Sequence, residues 1–148
     1  MQNIHFTKQE RDIILWLRFL AAAFLVVGVV FAVNPNYFLQ YLDSVGVVFF
    51  NFTNLPLENP KHEIWWVLSL GLIGSLSFAC FEAQFDWLRF NVLVPVIIVA
   101  KLISFLGFLV LTLFYFTHFF YIVACIADGV ICLTTWYAYA TAIHSRTY

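Results

Sequence analysis

Four long, predominantly apolar runs, Ile13 to Val33, Ile64 to Phe85, Val92 to Phe116 and Phe119 to Ile143, decide what this chain can fold into. Each reaches the roughly 20 helical residues that a hydrocarbon core demands. Inside lipid every backbone N–H and C=O must find its partner within the segment or within a closed barrel, so continuous runs of this length are expected to be helices. Barrel strands alternate inward and outward residues, and these runs do not. The expected fold is all-α: a polytopic bundle of four transmembrane helices forming one domain over residues 1–148.

Composition points to the same solvent. Of 148 residues 64% are hydrophobic and 10% charged, and the mean hydropathy is +0.92. A soluble domain this small could bury only part of so much apolar surface. The net charge of −1, with Lys and Arg scattered, supplies no basic stripe for a phosphate backbone, so nucleic acid is not an expected partner. Membrane lipid is.

The first run has Val30-Phe31-Ala32 at its end, which resembles the small-residue signature of a cleavable leader. Its apolar stretch is longer than a leader's, and the residues before it mix Glu10 and Asp12 with Lys8 and Arg11. A retained helix is expected. Lys8, Arg11, Arg18, Arg89 and Arg146 would share one side of the membrane and Lys61 would stand opposite, which predicts both termini in the cytoplasm. The expected location is a bacterial inner (plasma) membrane. Aromatic residues mark the same planes, with Trp16 and Trp87 near the inner boundary and Tyr37, Tyr41, Trp65, Trp66, Tyr115 and Tyr121 near the outer one.

Between the first two spans lies the one long connection, Asn34 to Glu63. Asn34-Pro35 ends the first helix there. Tyr37, Phe38, Tyr41 and Leu42 recur at helical spacing, and Val45 to Phe52 is apolar but too short to cross. An apolar outer loop or interfacial helix is expected. Asn51-Phe52-Thr53 fits a glycosylation sequon, relevant only in a eukaryotic lumenal loop. The turn at Thr117-His118 is short, making the third and fourth spans antiparallel neighbours.

Ionisable groups at membrane depth are costly and so carry functional hypotheses. Lys101 and Asp128 both lie roughly 15 to 22 Å from the inner boundary, and Arg18 and Glu82 roughly 7 to 10 Å from it. Each couple is a candidate ion pair. Alternatively, Lys101 extends toward an interface while Asp128 meets a hydroxyl such as Ser104, and the shallower couple simply reaches headgroup water. His62, Glu63 and His118 could meet as an outer metal or proton site, although no ligand spacing links them and ordinary interfacial roles are favoured. No metal is therefore expected.

Gly71, Ser75 and Ala79 recur at four-residue steps in the second span, with Gly74 beside them. Small residues so spaced let helices approach closely, either within this bundle, the favoured reading, or at another subunit. Cys80, Cys125 and Cys132 lack metal spacing and read as small packing residues. Catalytic motifs are missing: there is no phosphate-binding loop, HExxH or Gly-x-Ser-x-Gly. Thr134, Thr135 and Ser104 read as packing hydroxyls, and no catalytic residue is expected.

Four short-looped helices, with Arg18 and Gly28 in the first and polar residues inside later ones, resemble the small DoxX-like membrane proteins. That resemblance implies the architecture and an accessory role. The leading expectation is a non-catalytic accessory or assembly subunit of a larger membrane complex, partnered by other membrane subunits or by itself. A hydrophobic ligand such as lipid, quinone or pigment could meet its eighteen Phe residues, and no particular cofactor is implied. The alternatives are a small transporter or proton-coupled binding protein using Lys101 and Asp128, and a membrane enzyme acting on a lipid-soluble substrate.

Overall fold

The computed structural model describes residues 6–52, 63–114 and 118–145, with the side chains of residues 63–66 excepted. Among the described residues six helices follow in chain order: α1 (Lys8–Val33), α2 (Pro35–Phe50), α3 (Glu63–Phe85), α4 (Trp87–Phe90), α5 (Leu93–Phe114) and α6 (Phe119–His144). Four of them, α1, α3 from Val67, α5 and α6, are long and apolar enough to cross a membrane. The chain is a four-helix membrane bundle.

Local chemistry sets the helix ends. Thr7 and Glu10 form a capping box, the Thr7 hydroxyl accepting from Glu10 N–H at 3.2 Å and the Glu10 carboxylate from Thr7 N–H at 2.8 Å. This starts α1 at Lys8, five residues ahead of the apolar run. Asn34 closes α1 and opens α2: its backbone N–H donates to the Val30 carbonyl, and its side chain accepts from Tyr37 N–H at 3.0 Å. Pro35 follows at the first helical position, where its missing N–H costs nothing. Asn51 ends α2 in the left-handed region at φ 51°, a conformation Asn tolerates better than most residues. Asp86 caps the short α4 by accepting from Arg89 N–H at 3.2 Å.

The spans alternate in direction. On α1 and α3, Arg18 meets Gln84, Ala21 meets Ser77 and Gly28 lies against Ile73. Rising numbers oppose falling ones, so the two are antiparallel, and α5 and α6 are antiparallel by the same test. Contacts from α1 to α6 and from α3 to α5 close the ring. The start of α1, α4 and the end of α6 gather at one end, where Thr7 and Ser145 hydroxyls meet at 2.9 Å and Trp87 Nε1–H donates to Glu10 at 3.2 Å. The opposite end carries α2.

Apolar packing concentrates toward the α4 end. Ile13, Leu17, Leu20 and Phe24 form the inward stripe of α1 and pack with Leu76, Cys80 and Ala83 of α3, Val94 and Ile97 of α5, and Trp87. Past Phe24 no residue of α1 is buried, and α5 buries only Val94 and Ile97. Leu106, Val110, Leu113 and Phe114 stay exposed on α5. In water that surface would drive association; acyl chains satisfy it without further contacts.

Candidate functional site

At mid-depth of the bundle, α5 and α6 bring their two charges together. Lys101 Nζ donates to Asp128 Oδ1 at 2.6 Å, and the other carboxylate oxygen accepts from the Ser104 hydroxyl. Ser104 is one turn beyond Lys101 on α5, so both reach the same residue of α6. The sequence alternatives of an ion pair and a hydroxyl partner coexist. The ammonium also lies 4.7 Å from the centroid of the Phe24 ring, which ties α1 to the same point. Side-chain exposures of 13% for Lys101 and 11% for Asp128 leave little of either in contact with surroundings. Mutual pairing, the hydroxyl and the ring together replace the lost solvation.

Close approach of the two helices makes this reach possible. Gly129 follows Asp128, and a Cβ there would come within 3.0 Å of the Phe105 ring. Cys125 and Cys132 are buried on the same face, their thiols 3.9 and 3.6 Å from the carbonyls of Phe105 and Ile98. These are weak donors on small side chains, fitting the packing role. All three cysteines are free.

The second couple does not form. Arg18 Nε–H donates to Gln84 Oε1 at 3.2 Å, and among the described residues no ion pair joins it to Glu82. Matching depth was satisfied but direction was not: Glu82 and Gln84 stand about 200° apart around α3, on opposite flanks of buried Ala83. Gln84 occupies the flank that faces α1.

The small-residue stripe also faces otherwise than favoured. A Cβ added at Gly71 or Gly74 would meet nothing within 4 Å, and Ser75, exposed, turns its hydroxyl back to the Gly71 carbonyl at 2.8 Å. Only Ala79 touches the core. Leu76, Cys80 and Ala83 take the inward face, which leaves Gly71, Gly74 and Ser75 on the outward one.

Two polar arrangements escaped sequence reasoning. Asp43 of α2 is 5% exposed and accepts from His118 Nδ1 at 2.8 Å and from Phe120 N–H at 3.0 Å, so a carboxylate from another helix caps α6. A Cβ at neighbouring Gly46 would strike Phe119 Cγ, showing how closely α2 sits on that terminus. The signal was available: an acidic residue within an apolar helix one turn before a glycine. Second, Trp16 and Trp87, toward the α4 end of the bundle, turn inward. Trp16 Nε1–H donates to the fully buried Thr135 hydroxyl at 2.9 Å, and Trp87 is 1% exposed against Glu10.

His118 therefore binds Asp43, whereas His62 lies outside the described residues, as do the side chain of Glu63, and Lys61 and Arg146. Among the described residues no group of three His, Cys, Asp or Glu side chains could hold a metal. No family model, curated protein or solved structure matches the chain.

Proposed function

We propose that this chain is a non-catalytic accessory or assembly subunit of a larger membrane complex, built on an architecture like that of DoxX-like proteins. The supporting observation is the outward stripe of Gly71, Gly74 and Ser75 on α3. Backbone is exposed there at membrane depth, and its one hydroxyl is already satisfied within the helix. Another transmembrane helix can approach such a surface closely, gaining van der Waals contact that a leucine-covered face would prevent. The partner is a second membrane protein or a second copy. The bundle end holding α4, the start of α1 and the end of α6 faces the cytoplasm of a bacterial inner membrane, on the strength of Lys8, Arg11 and Arg89 gathered there.

Solubilisation in mild detergent followed by native mass measurement tests the reading. The wild-type chain is expected in a larger assembly, and Gly71→Leu with Ser75→Leu is expected to release a folded monomer. A lone wild-type monomer, or an assembly indifferent to those changes, would reject it.

A second reading, a proton-coupled transporter or binding protein, draws on the Lys101–Asp128 pair at mid-depth. Both carboxylate oxygens are engaged within the bundle, an arrangement that favours a structural tie. Transport that persists in Lys101→Met would exclude this second reading; transport lost there with the fold retained would favour it.

A further inference from the structure

Along the junction of α1 and α3, on the half of the bundle nearer α2, runs an open apolar slot of about 220 Å³. Its walls include Leu25, Val29 and Ala32 from α1 and Leu70, Ile73 and Gly74 from α3, and the Phe24 ring and Ser77 stand at its mid-depth end. We infer that this slot binds one acyl chain of a phospholipid from the leaflet on the α2 side. The assignment goes beyond the subunit reading and does not depend on it.

Three features carry it. The first is polarity. Ser77 is the one hydroxyl in the lining, and it donates to the Ala21 carbonyl at 3.0 Å, so its hydrogen is already taken and a phosphate or carbonyl oxygen finds no side-chain donor in the slot. A hydrocarbon does not require one. The second is dimension. Phe24 to Ala32 is eight residue steps, about 12 Å of helix. One leaflet contributes about half of a 30 Å hydrocarbon core, roughly 15 Å. The slot thus begins where a leaflet's acyl chain ends and runs parallel to it for most of its length.

The third is how the slot is made. Gly28 brings α1 against Ile73, where an added Cβ would stand 3.2 Å from Ile73 Cγ2, while a Cβ at Gly74 would meet open space. One glycine closes the helices together and the other leaves a recess beside the seam. A Cβ at Gly74 would project into the recess without striking the protein. A methylene chain can enter a recess of that kind, whereas a helix, whose diameter with side chains is about 10 Å, can only lie over it.

The test uses the full-length protein in vesicles of phosphatidylethanolamine and phosphatidylglycerol. They contain a trace of phosphatidylethanolamine carrying a photoreactive diazirine midway along one acyl chain. After irradiation, adducts are mapped by peptide mass spectrometry. Adducts are expected in excess on Leu25, Val29 and Leu70 over Leu113 and Leu133, which are as exposed as Leu25 but lie outside the slot. The excess is expected to disappear in Gly74→Leu and in Ala32→Phe, with labelling of Leu113 and Leu133 unchanged as the sign of an intact fold. Ala32 stands on α1, away from the α3 stripe, so its variant separates loss of the slot from loss of subunit docking. Labelling that follows exposure alone, or an excess that survives both fillings, would overturn the assignment. So would chain-to-chain adducts in the slot, which would place a second copy there, or displacement by unlabelled isoprenoid quinone, which would make the occupant an isoprenoid.

Discussion

Replacing Lys101 with Met leaves the Asp128 carboxylate, 8% exposed at mid-membrane, with the Ser104 hydroxyl as its remaining partner in the triad. Removing one member of a buried ion pair costs about 3 to 5 kcal/mol because the other charge stays desolvated. The lost contact with the Phe24 ring adds about 2 kcal/mol, the magnitude for a desolvated cation. Exchanging both residues, Lys101→Met with Asp128→Leu, removes the uncompensated charge, and similarly shaped apolar pairs often match or exceed a buried pair in stability. The double variant is therefore expected within about 1 kcal/mol of wild type, by the same comparison. Reversible unfolding in mixed micelles by added dodecyl sulfate, followed through the fluorescence of the five tryptophans, measures all members of the cycle. A single variant within about 1 kcal/mol of wild type, below the range for a broken buried pair, would refute the reasoning. A double variant carrying the full sum of both single losses would do the same, since it would mean the two charges are not coupled.

Two further substitutions probe the outer and inner packing. Gly46→Ala places a Cβ against the Phe119 ring root, which the ring cannot escape by rotation, and is expected to cost about 1 to 3 kcal/mol. Faster amide exchange through α2, with α3 unchanged, is the signature to measure. Thr135→Val keeps shape but removes the acceptor of Trp16 Nε1–H, with an expected loss of about 1 to 3 kcal/mol in the same micelle unfolding.

Spans were legible because hydrocarbon imposes a length and a composition that any reader of the chain can find. Depth was legible too, since rise per residue converts sequence position into distance; Lys101 and Asp128 stand level for that reason, and they meet. Direction around the helix was the missing coordinate. Arg18 and Glu82 were level as well, yet Glu82 projects from the wrong flank of α3 and Gln84 takes its place. The stripe of Gly71, Gly74 and Ser75 shows the same limit: spacing puts them on one face, and only the packing of Leu76, Cys80 and Ala83 tells which way that face looks. Usual amphipathicity cannot help, because a helix in lipid is apolar on both its outer and inner sides. Thr7 and Glu10 were readable as a capping box and extend α1 to Lys8. Asp43 in an apolar helix one turn before Gly46 was a local signal, but its partner, 75 residues away in sequence, was not announced by any local pattern.

Residence in a bilayer is most directly tested by single-cysteine labelling with a membrane-impermeant maleimide applied from either side of sealed vesicles. The wild-type chain serves as the blank, its three cysteines being buried. Lys8→Cys and Arg89→Cys are expected to react from one side only, and Ser44→Cys from the other side only, with Leu113→Cys and Leu133→Cys silent from both. Labelling of all three polar positions from one side, or ready labelling of the two leucine positions, would contradict a chain that crosses the membrane four times.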